Sequence, residues 1–358
     1  MRILHIAPIG RHAEGIGTVL QSIVPYQNTS GNDVRIVSLY ENCTYPELPI
    51  TTIVKLKSFE AFIRNWTPDI VIFHSVFHLK YGLFYRVLQK NNIPYLIQLH
   101  GALSIANYSK NTIKKKIALF LWIKKFIQHS RSIIYLNQAE YNNSIVPNIN
   151  PQYTIIPNGC DCQDNIDDCK KIGNNLNIIF IGRIAYNHKG LDVLIDALKK
   201  LEARNVKGYH VTFYGNEDDI DVMRLKNDIE SMNTVSYGGG VYGGQKDKIL
   251  RDADMFMLTS RYEGMPMGVL EAWSYGIPCI LTSGTNMVSQ NQDADYYWFT
   301  TLDSENIAKT MVRAIELYNK NPQKYRAASL EESKKYEWSK IGELSLNLYS
   351  QMIERRKI

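Results

Sequence analysis

Two glutamates, Glu263 and Glu271, lie eight residues apart in a segment that contains Gly264 and Pro266. The apolar run at 255–258 before them predicts a buried strand, and Gly264 with Pro266 predicts a turn that leads into a helix. Glu263 then falls in the turn, and Glu271 lies about one turn into the helix. Because carboxylates accept charge-assisted hydrogen bonds from vicinal hydroxyls, this pair suits a polyhydroxylated ligand.

The backbone of the same turn offers a second kind of contact. The N–H groups between Gly264 and Gly268 have no partners within the helix that they begin, so they can bind an anion or a sugar hydroxyl. Open α/β sheets bind ligands at this place, the carboxyl end of a strand. The alternative is a solvated helix whose acidic residues only stabilise its start.

A basic pair follows another predicted strand, 178–181. Arg183 and Lys189 flank the loop after this strand, and Gly190 begins a helix. Two cations beside a helix start suit a diphosphate, and fixed cations stabilise the charge of a nucleoside diphosphate as it leaves. The alternative is a pair of exposed basic residues whose charge is screened by solvent.

One histidine also stands at the end of a predicted strand. His100 follows the apolar run 95–99 and precedes Gly101, which places it at the carboxyl edge of a sheet. A lone histidine is more often structural, but the place of His100 at the end of a strand favours a role in the site. His74 has a similar place at the end of a strand and is a weaker candidate. The loop 8–18 and the strand 210–215 carry glycines that permit close approach by a ligand.

In combination, these motifs resemble the family 4 retaining glycosyltransferases, which transfer a sugar from a nucleotide-sugar donor and have the two-domain GT-B fold. The resemblance implies that Glu263 contacts the transferred sugar, that Glu271 contacts the ribose and that His100 lies near the sugar and the departing phosphate. It implies catalytic residues at His100, Glu263, Arg183 and Lys189, and donor contacts at Gly15, Gly17, Arg183, Lys189, Gly215, Gly264, Met265, Pro266, Met267 and Glu271. Two positions depart from the pattern of the family: Glu14 replaces a glycine in the first loop, and Asn286 replaces an acidic residue.

Strand and helix patterns alternate along the whole chain, which predicts α/β architecture with parallel sheets and helices on both faces. We expect two Rossmann-like domains that face a cleft. The first spans 1–165 on the acceptor side, and the second spans 176–337 and binds the nucleotide sugar, with a polar linker at 160–177. By resemblance, a last helix within 338–358 braces the first domain.

Composition excludes several classes of protein. The net charge is +6, from 41 basic and 35 acidic residues, too mild to indicate nucleic-acid binding. The first ten residues lack the apolar length of a signal peptide, and we expect a cytoplasmic protein whose five cysteines are thiols. Neither the cluster Cys160, Cys162 and Cys169 nor the acidic run 216–221 fits a metal site, so we expect no cofactor and no metal.

The stretch 108–131 is unusually basic. It has seven Lys or Arg residues and no acidic residue, and apolar residues recur at helical spacing at Ile113, Ile117, Leu121 and Trp122. A basic amphipathic helix of this kind favours binding to an anionic membrane surface through 110–131. The alternative is a helix that packs into the core and has a solvated basic rim.

The sequence therefore predicts a retaining glycosyltransferase that uses a UDP- or GDP-sugar. Its expected acceptor is a lipid-linked saccharide of capsule, O-antigen or another envelope polymer, reached by peripheral association with the inner face of the membrane. Two alternatives stay open. One is a nucleotide-sugar epimerase, which would need a further set of carboxylates that we do not identify. The other is a non-catalytic nucleotide-sugar-binding subunit of a transferase complex.

Overall fold

The computed structural model describes residues 1–10, 15–29, 31–41, 45, 47–105, 122–163, 173, 175–216, 220–289 and 291–354. The chain divides into two compact units. Unit 1 comprises Met1–Gly159 together with Trp338–Ile358, and unit 2 comprises Cys160–Glu337. Each unit consists of one parallel sheet with helices between its strands. The predicted α/β class is therefore confirmed.

Unit 1 contains a seven-stranded sheet in the order β3-β2-β1-β4-β5-β6-β7. Its strands are β1 (Arg2–Ala7), β2 (Asp33–Ser38), β3 (Ile50–Thr52), β4 (Ile70–His74), β5 (Tyr95–Gln98), β6 (Ser132–Tyr135) and β7 (Tyr153–Ile155). Every residue of β4, β5 and β6 is buried, as expected for strands covered on both faces. The register pairs Ile6 with Phe73, and His74 with Gln98, so the carboxyl ends of β1, β4 and β5 lie along one edge.

The helices of unit 1 are α1 (Gly15–Thr29), α2 (Leu56–Asn65), α3 (Tyr81–Lys90), α4 (Lys124–Gln128), α5 (Gln138–Asn142) and α13 (Trp338–Glu354). The last of these packs against α1, and a Cβ on Gly342 would lie 3.0 Å from the Cβ of Tyr26. The amide of Gln27 donates to the hydroxyl of Ser345 across the same contact. The C-terminal helix is thus part of the packing of unit 1.

Unit 2 contains a six-stranded sheet in the order β10-β9-β8-β11-β12-β13. Its strands are β8 (Leu176–Ile181), β9 (Tyr209–Tyr214), β10 (Val235–Gly239), β11 (Met255–Leu258), β12 (Cys279–Thr282) and β13 (Tyr297–Thr300). Its helices are α6 (Tyr186–Lys189), α7 (Leu191–Ala203), α8 (Ile220–Ile229), α9 (Gly243–Asp252), α10 (Met267–Ser274), α11 (Ser304–Lys320) and α12 (Pro322–Ser333). The central strands β8 and β11 carry the two loops with the charged motifs.

Most predicted strands are confirmed to within two residues, and β1 and β11 match their predicted bounds. Residues Tyr237 to Gly239 belong to β10, which pairs in parallel with β9 at the edge of the sheet. Strand β8 begins at Leu176, inside the stretch that we expected to be linker.

The basic stretch lies largely outside the described residues, which omit 106–121. In its described part, Ile123, Phe126 and Ile127 are fully buried, whereas Lys124 and Lys125 are exposed. This end of the stretch therefore packs into the core of unit 1 and has a solvated basic rim. None of the helices in the described part of the chain is long and apolar enough to cross a membrane.

Candidate active site

The turn between β11 and α10 carries the first predicted motif. Glu263 lies in this turn, and Glu271 lies in α10, as the sequence predicts. Pro266 caps the helix with extended backbone angles and no side-chain hydrogen bond, while Met265 and Pro266 are buried and Gly264 and Met267 are half-buried. The positive end of the α10 dipole is therefore not neutralised by a capping side chain.

The carboxylate of Glu263 is held by two donors from unit 2. Lys189 Nζ donates to Glu263 Oε1 at 2.7 Å, and Ser260 Oγ donates to the same oxygen at 2.7 Å. The side chains of Lys189 and Glu263 are 14% and 12% exposed, so solvent screens this ion pair only weakly. Residues from the two predicted motifs thus meet in a single cluster.

His188 joins this cluster to Arg183. Its Nε2 lies 2.8 Å from the carbonyl oxygen of Tyr262 and 3.7 Å from Glu263 Oε1, and its Nδ1 lies 3.4 Å from Arg183 Nη2. Burial lowers the pKa of His188, although the neighbouring Glu263 carboxylate acts in the opposite direction. Arg183 itself is exposed. The cluster therefore presents an exposed guanidinium beside a half-buried ammonium.

The position of Lys189 depends on the glycine that follows it. Gly190 has φ +67°, and a Cβ there would lie 2.2 Å from the carbonyl oxygen of Thr259. The Thr259 hydroxyl in turn donates to the carbonyl oxygen of Lys189 at 3.1 Å. Only glycine permits this approach of the α6–α7 junction to the end of β11.

Arg261 was not predicted, yet it ties the two loops together. Its guanidinium makes two hydrogen bonds of 2.7 Å to the carboxylate of Asp192 and a third of 2.8 Å to the carbonyl oxygen of Asn187. A bidentate pair fixes orientation as well as distance. The turn that carries Glu263 is thereby held against the loop that carries Lys189.

Glu271 also has a basic partner. Lys246 Nζ, from α9, lies 2.7 Å and 2.6 Å from the two carboxylate oxygens of Glu271. Both side chains are about a quarter exposed, at 26% and 24%. No sequence pattern indicates Lys246, because only the order of the strands brings α9 to this place.

Asn286, which departs from the pattern of the family, has a clear structural role. It adopts a left-handed conformation with φ +58°, which asparagine tolerates better than most residues. Its amide donates to the carbonyl oxygen of Glu263 at 2.6 Å and to that of Gly264 at 3.4 Å. A carboxylate could not donate these bonds, so the amide stabilises the turn at Glu263.

The three predicted glycines outside this turn differ in their surroundings. A Cβ on Gly215 would lie 2.4 Å from the carbonyl oxygen of Gly182, and one on Gly17 would lie 2.3 Å from the Tyr45 hydroxyl. A Cβ on Gly15 would meet nothing within 4 Å. Close packing therefore explains Gly215 and Gly17, and Glu14 lies outside the described residues.

In unit 1, His100 is one end of a row of hydrogen-bonded side chains that we call the histidine chain. Its members are Ser345, Gln27, His5, His74 and His100. The two contacts between imidazole rings measure 2.9 Å for His5 and His74 and 2.8 Å for His74 and His100. Burial lowers the pKa of His5 to about 4 and that of His100 to about 3, and it holds the pKa of His74 well below its ordinary value.

The backbone at His100 is held by a buried carboxylate. His100 and Gly101 have φ +52° and +78°, and Glu140 accepts hydrogen bonds of 2.5 Å from the N–H groups of Gly101 and Leu136. Burial raises the pKa of Glu140 to about 7. Glu140 was not predicted, and it fixes the left-handed turn that points the chain away from β5.

Within the described residues, no group of three or more His, Cys, Asp or Glu side chains could hold a metal ion. Cys160 and Cys162 are free thiols there, while Cys169 and the acidic residues 217–219 lie outside the described part. Residues that could bind a diphosphate are Arg183 and Lys189.

Two family models match the chain and together cover most of it. The model described as Glycosyltransferase Family 4 matches residues 14–164, and the one described as Glycosyl transferases group 1 matches residues 175–317. The chain belongs to the family 4 glycosyltransferases of group 1. The recognition from sequence motifs is therefore confirmed.

The names of two curated relatives state a substrate or a linkage. The chain is 26% identical over 182 residues to the lipopolysaccharide 1,6-galactosyltransferase of Escherichia coli strain K12, over 45% of this chain and 48% of the relative. It is 36% identical over 70 residues to the UDP-Gal:α-D-GlcNAc-diphosphoundecaprenol α-1,3-galactosyltransferase of Escherichia coli, over 19% of this chain and 18% of the relative. The matches thus span about half the length of the first relative and less of the second.

Solved structures share the fold of this glycosyltransferase along its whole length. Anabaena HepE, in complex with UDP-glucose, superposes with a TM-score of 0.77 at 16% identity, over 98% of this chain and 100% of that one. This likeness confirms the GT-B fold class.

Proposed function

We propose that this family 4 glycosyltransferase transfers a hexose from a UDP-sugar to a hydroxyl of a lipid-linked saccharide, with retention at the anomeric carbon. The observation that carries the proposal is the cluster in unit 2, where Lys189 contacts Glu263 and Arg183 contacts the neighbouring His188 at the carboxyl end of the sheet. The names of relatives support the choice of UDP over GDP, since one relative uses UDP-Gal and Anabaena HepE binds UDP-glucose.

The cluster fits the charge that develops in glycosyl transfer. As the bond between the sugar and the diphosphate breaks, negative charge accumulates on the leaving phosphate oxygen. The Arg183 guanidinium contacts His188 and the Lys189 ammonium contacts Glu263, so both cations lie at the carboxyl end of the sheet, where they can stabilise this charge. The uncapped start of α10 adds a positive dipole end close to Glu263.

The two glutamates have separate roles in the proposal. Glu263 accepts hydrogen bonds from hydroxyls of the transferred sugar, and Glu271 accepts them from the ribose. Each carboxylate has a lysine partner, Lys189 and Lys246 respectively. Donor binding then exchanges part of each ion pair for contacts to hydroxyls and phosphates.

We also propose that His100 contacts the donor sugar and that catalysis needs no metal ion. The two cations and the helix start supply the positive charge that a metal would otherwise provide. If so, EDTA leaves the transfer rate unchanged. Loss of activity in EDTA that returns with Mg²⁺ or Mn²⁺ would contradict the metal-free mechanism.

The acceptor proposal rests on the basic stretch 110–131 and on a relative whose printed substrate is a diphosphoundecaprenol-linked sugar. We expect the protein to float with anionic liposomes and a Lys114/Lys115/Lys116→Glu variant to stay in solution. A Lys309→Glu/Lys320→Glu variant, which removes two lysines of α11, serves as the matched control. If wild-type protein does not float, the membrane proposal is wrong.

A binding panel tests the donor site. Thermal unfolding is measured with UDP, GDP, ADP and CMP and with their common sugar conjugates. A ligand at a hundred times its Kd stabilises the folded state by about 2.7 kcal/mol, which gives a clear shift in Tm. We expect a shift with UDP that is lost in Arg183→Ala and kept in Arg204→Ala, since Arg204 pairs with Glu305 on the surface. A shift with GDP alone would replace UDP by GDP in the proposal.

A further inference from the structure

The histidine chain has a direction that follows from counting protons, starting at Ser345. The Ser345 hydroxyl has one proton, and it lies 2.7 Å from the carbonyl oxygen of Gly342, which can only accept. Ser345 Oγ therefore accepts from the neighbouring amide of Gln27, at 3.1 Å, and the buried Tyr349 hydroxyl also hydrogen-bonds to both side chains. This contact places the NH₂ group of Gln27 towards Ser345 and its Oε1 towards His5.

The same count of protons assigns a donor and an acceptor nitrogen to each of the three imidazoles. Because Gln27 Oε1 can only accept, His5 carries its proton on Nε2, 2.9 Å away, and its Nδ1 is an acceptor. His74 must then donate from Nε2 to His5 Nδ1 and accept on its own Nδ1. His100 in turn donates from Nε2 to His74 Nδ1.

One nitrogen is left at the end of this sequence of donors. With its proton on Nε2, a neutral His100 has a lone pair on Nδ1, and the described part of the chain provides no hydrogen-bond partner for that atom. His100 is the half-buried end of the histidine chain, whereas His5 and His74 are each only 1% exposed. The histidine chain thus runs from the contact between α1 and α13, through the sheet, to the carboxyl end of β5.

We propose that the histidine chain is a positioning device that fixes the tautomer of His100, so that its Nδ1 accepts a hydrogen bond from a hydroxyl of the donor sugar. This inference rests on the proposed function for the identity of the hydroxyl, but the tautomer itself does not depend on it. An imidazole that accepts on Nδ1 recognises the sugar and cannot donate from that atom to the leaving diphosphate.

The residues that make up the histidine chain favour a positioning role over proton transport. Gln27 has no site that can take up a proton under ordinary conditions, so a proton that entered at His100 could not leave at the other end. The three imidazoles are also desolvated, which holds each pKa far below its ordinary value and keeps the rings neutral. Neutral rings keep the donor and acceptor pattern that Ser345 and Gln27 impose.

Long-range proton–nitrogen correlation spectra of the full chain, labelled with nitrogen-15 at histidine, measure the tautomer directly. The His100 signals are identified by their loss in a His100→Gln variant. We expect an imine-type shift at Nδ1 and an amine-type shift at Nε2. The opposite assignment in the wild-type protein would overturn the proposal. This measurement of the tautomer needs no variant of the other members of the histidine chain.

Ser345→Ala tests whether the far end controls His100. Without the Ser345 hydroxyl, the Gln27 amide can take either orientation, because the Tyr349 hydroxyl beside it can donate or accept, and we expect both tautomers of His100 in the spectrum. Ser130→Ala is a matched control, because the buried Ser130 hydroxyl also donates to a backbone carbonyl, that of Ile127, and accepts from the amide of Asn150. A single unchanged tautomer of His100 in Ser345→Ala would show that the histidine chain does not fix this tautomer.

The binding readout compares UDP-hexose with UDP in the same variants. Since one hydrogen bond to the sugar is weakened, we expect Ser345→Ala to reduce the ratio of the two affinities about twofold to tenfold, with the affinity for UDP unchanged. An equal loss for both ligands, or none, would contradict the contact between His100 and the sugar. If neither ligand binds wild-type protein, the proposed function fails, while the spectra still decide the tautomer.

Discussion

Removing the ammonium of Lys189 is expected to affect both stability and nucleotide binding, in amounts that the structure sets. Lys189 Nζ lies 2.7 Å from Glu263 Oε1. At an effective dielectric constant of about 20, the gross attraction at this distance is about 6 kcal/mol. Breaking a fully buried pair by removing one partner costs about 3–5 kcal/mol, because the other charge stays buried.

For Lys189→Met we expect a smaller cost, about 2–3 kcal/mol in the free energy of unfolding of unit 2. The reduction has two causes: both side chains retain some exposure, and Ser260 Oγ still donates to the carboxylate. Adding Glu263→Gln should recover most of the loss, because no charge is then left without a partner. Urea unfolding of the single and double variants measures the coupling, with Lys324→Met, from an exposed pair with Asp295, as the control that changes little.

The two single variants should have different effects on ligand binding. In the proposed site Lys189→Met removes a charge-assisted contact to the diphosphate, so calorimetry should show UDP bound about tenfold to a hundredfold more weakly. Glu263→Gln releases Lys189 from its carboxylate partner, so UDP should bind as well as before or better, while UDP-hexose loses its advantage over UDP. Unchanged affinity for UDP in Lys189→Met, or an equal loss in both variants, would refute the assignment.

Three further predictions concern the framework of the site. Gly190→Ala should destabilise unit 2 by more than about 2 kcal/mol, since a Cβ would lie 2.2 Å from a carbonyl oxygen and the backbone is left-handed; a urea midpoint near that of wild type would contradict this. Asn286→Asp should weaken UDP-hexose binding at neutral pH, because a carboxylate cannot donate to the carbonyl oxygen of Glu263 as the amide does; calorimetry checks this, and tighter binding would count against it. The contribution of the histidine chain to stability should be full above the ordinary histidine pKa of 6.5 and fall as the pH drops towards about 4, because the unfolded protein binds protons that His5, His74 and His100 exclude; His5 alone contributes a loss of about 2 kcal/mol at pH 5, whereas Glu140, with its raised pKa, acts in the opposite direction. The measurement therefore compares wild-type protein with His5→Gln at pH 7.5 and pH 5, about one unit above and 1.5 below that value, and an equal change of urea midpoint in both proteins would contradict it.

The central strands could be predicted from sequence because they are buried on both faces. Strands β4 and β11 are short uninterrupted apolar runs, which leave little ambiguity when turns bound them. The edge strands β3 and β10 were missed for the opposite reason. β3 has no fully buried residue, and β10 ends in two glycines, so neither shows the apolar run of a strand.

The positions of the candidate site residues were predictable where these residues lie within one loop. Glu263 and Glu271 are close in sequence, and the spacing places them on one turn and one helix. The contacts of Glu271 with Lys246 and of Lys189 with Glu263 join separate βα units, so they depend on strand order, which no local pattern encodes. The histidine chain is the extreme case, since its hydrogen bond between Gln27 and Ser345 spans 318 positions.

The retaining stereochemistry is a separate expectation that one spectrum checks. Once an acceptor is found, the coupling constant of the anomeric proton in the product gives its configuration. We expect the configuration of the donor to be kept. An inverted product would leave the donor site intact and contradict the retaining mechanism.

Cleavage of the donor in the absence of acceptor tests the central claim most directly. The purified protein is incubated with UDP-galactose and UDP-glucose, and released UDP is followed by chromatography. A glycosyltransferase is expected to release UDP slowly to water, and the release should disappear in Arg183→Ala and persist in Arg204→Ala. If the wild-type protein binds the UDP-sugars but releases no UDP, with or without saccharide acceptors, the chain is a binding subunit and the catalytic account is wrong.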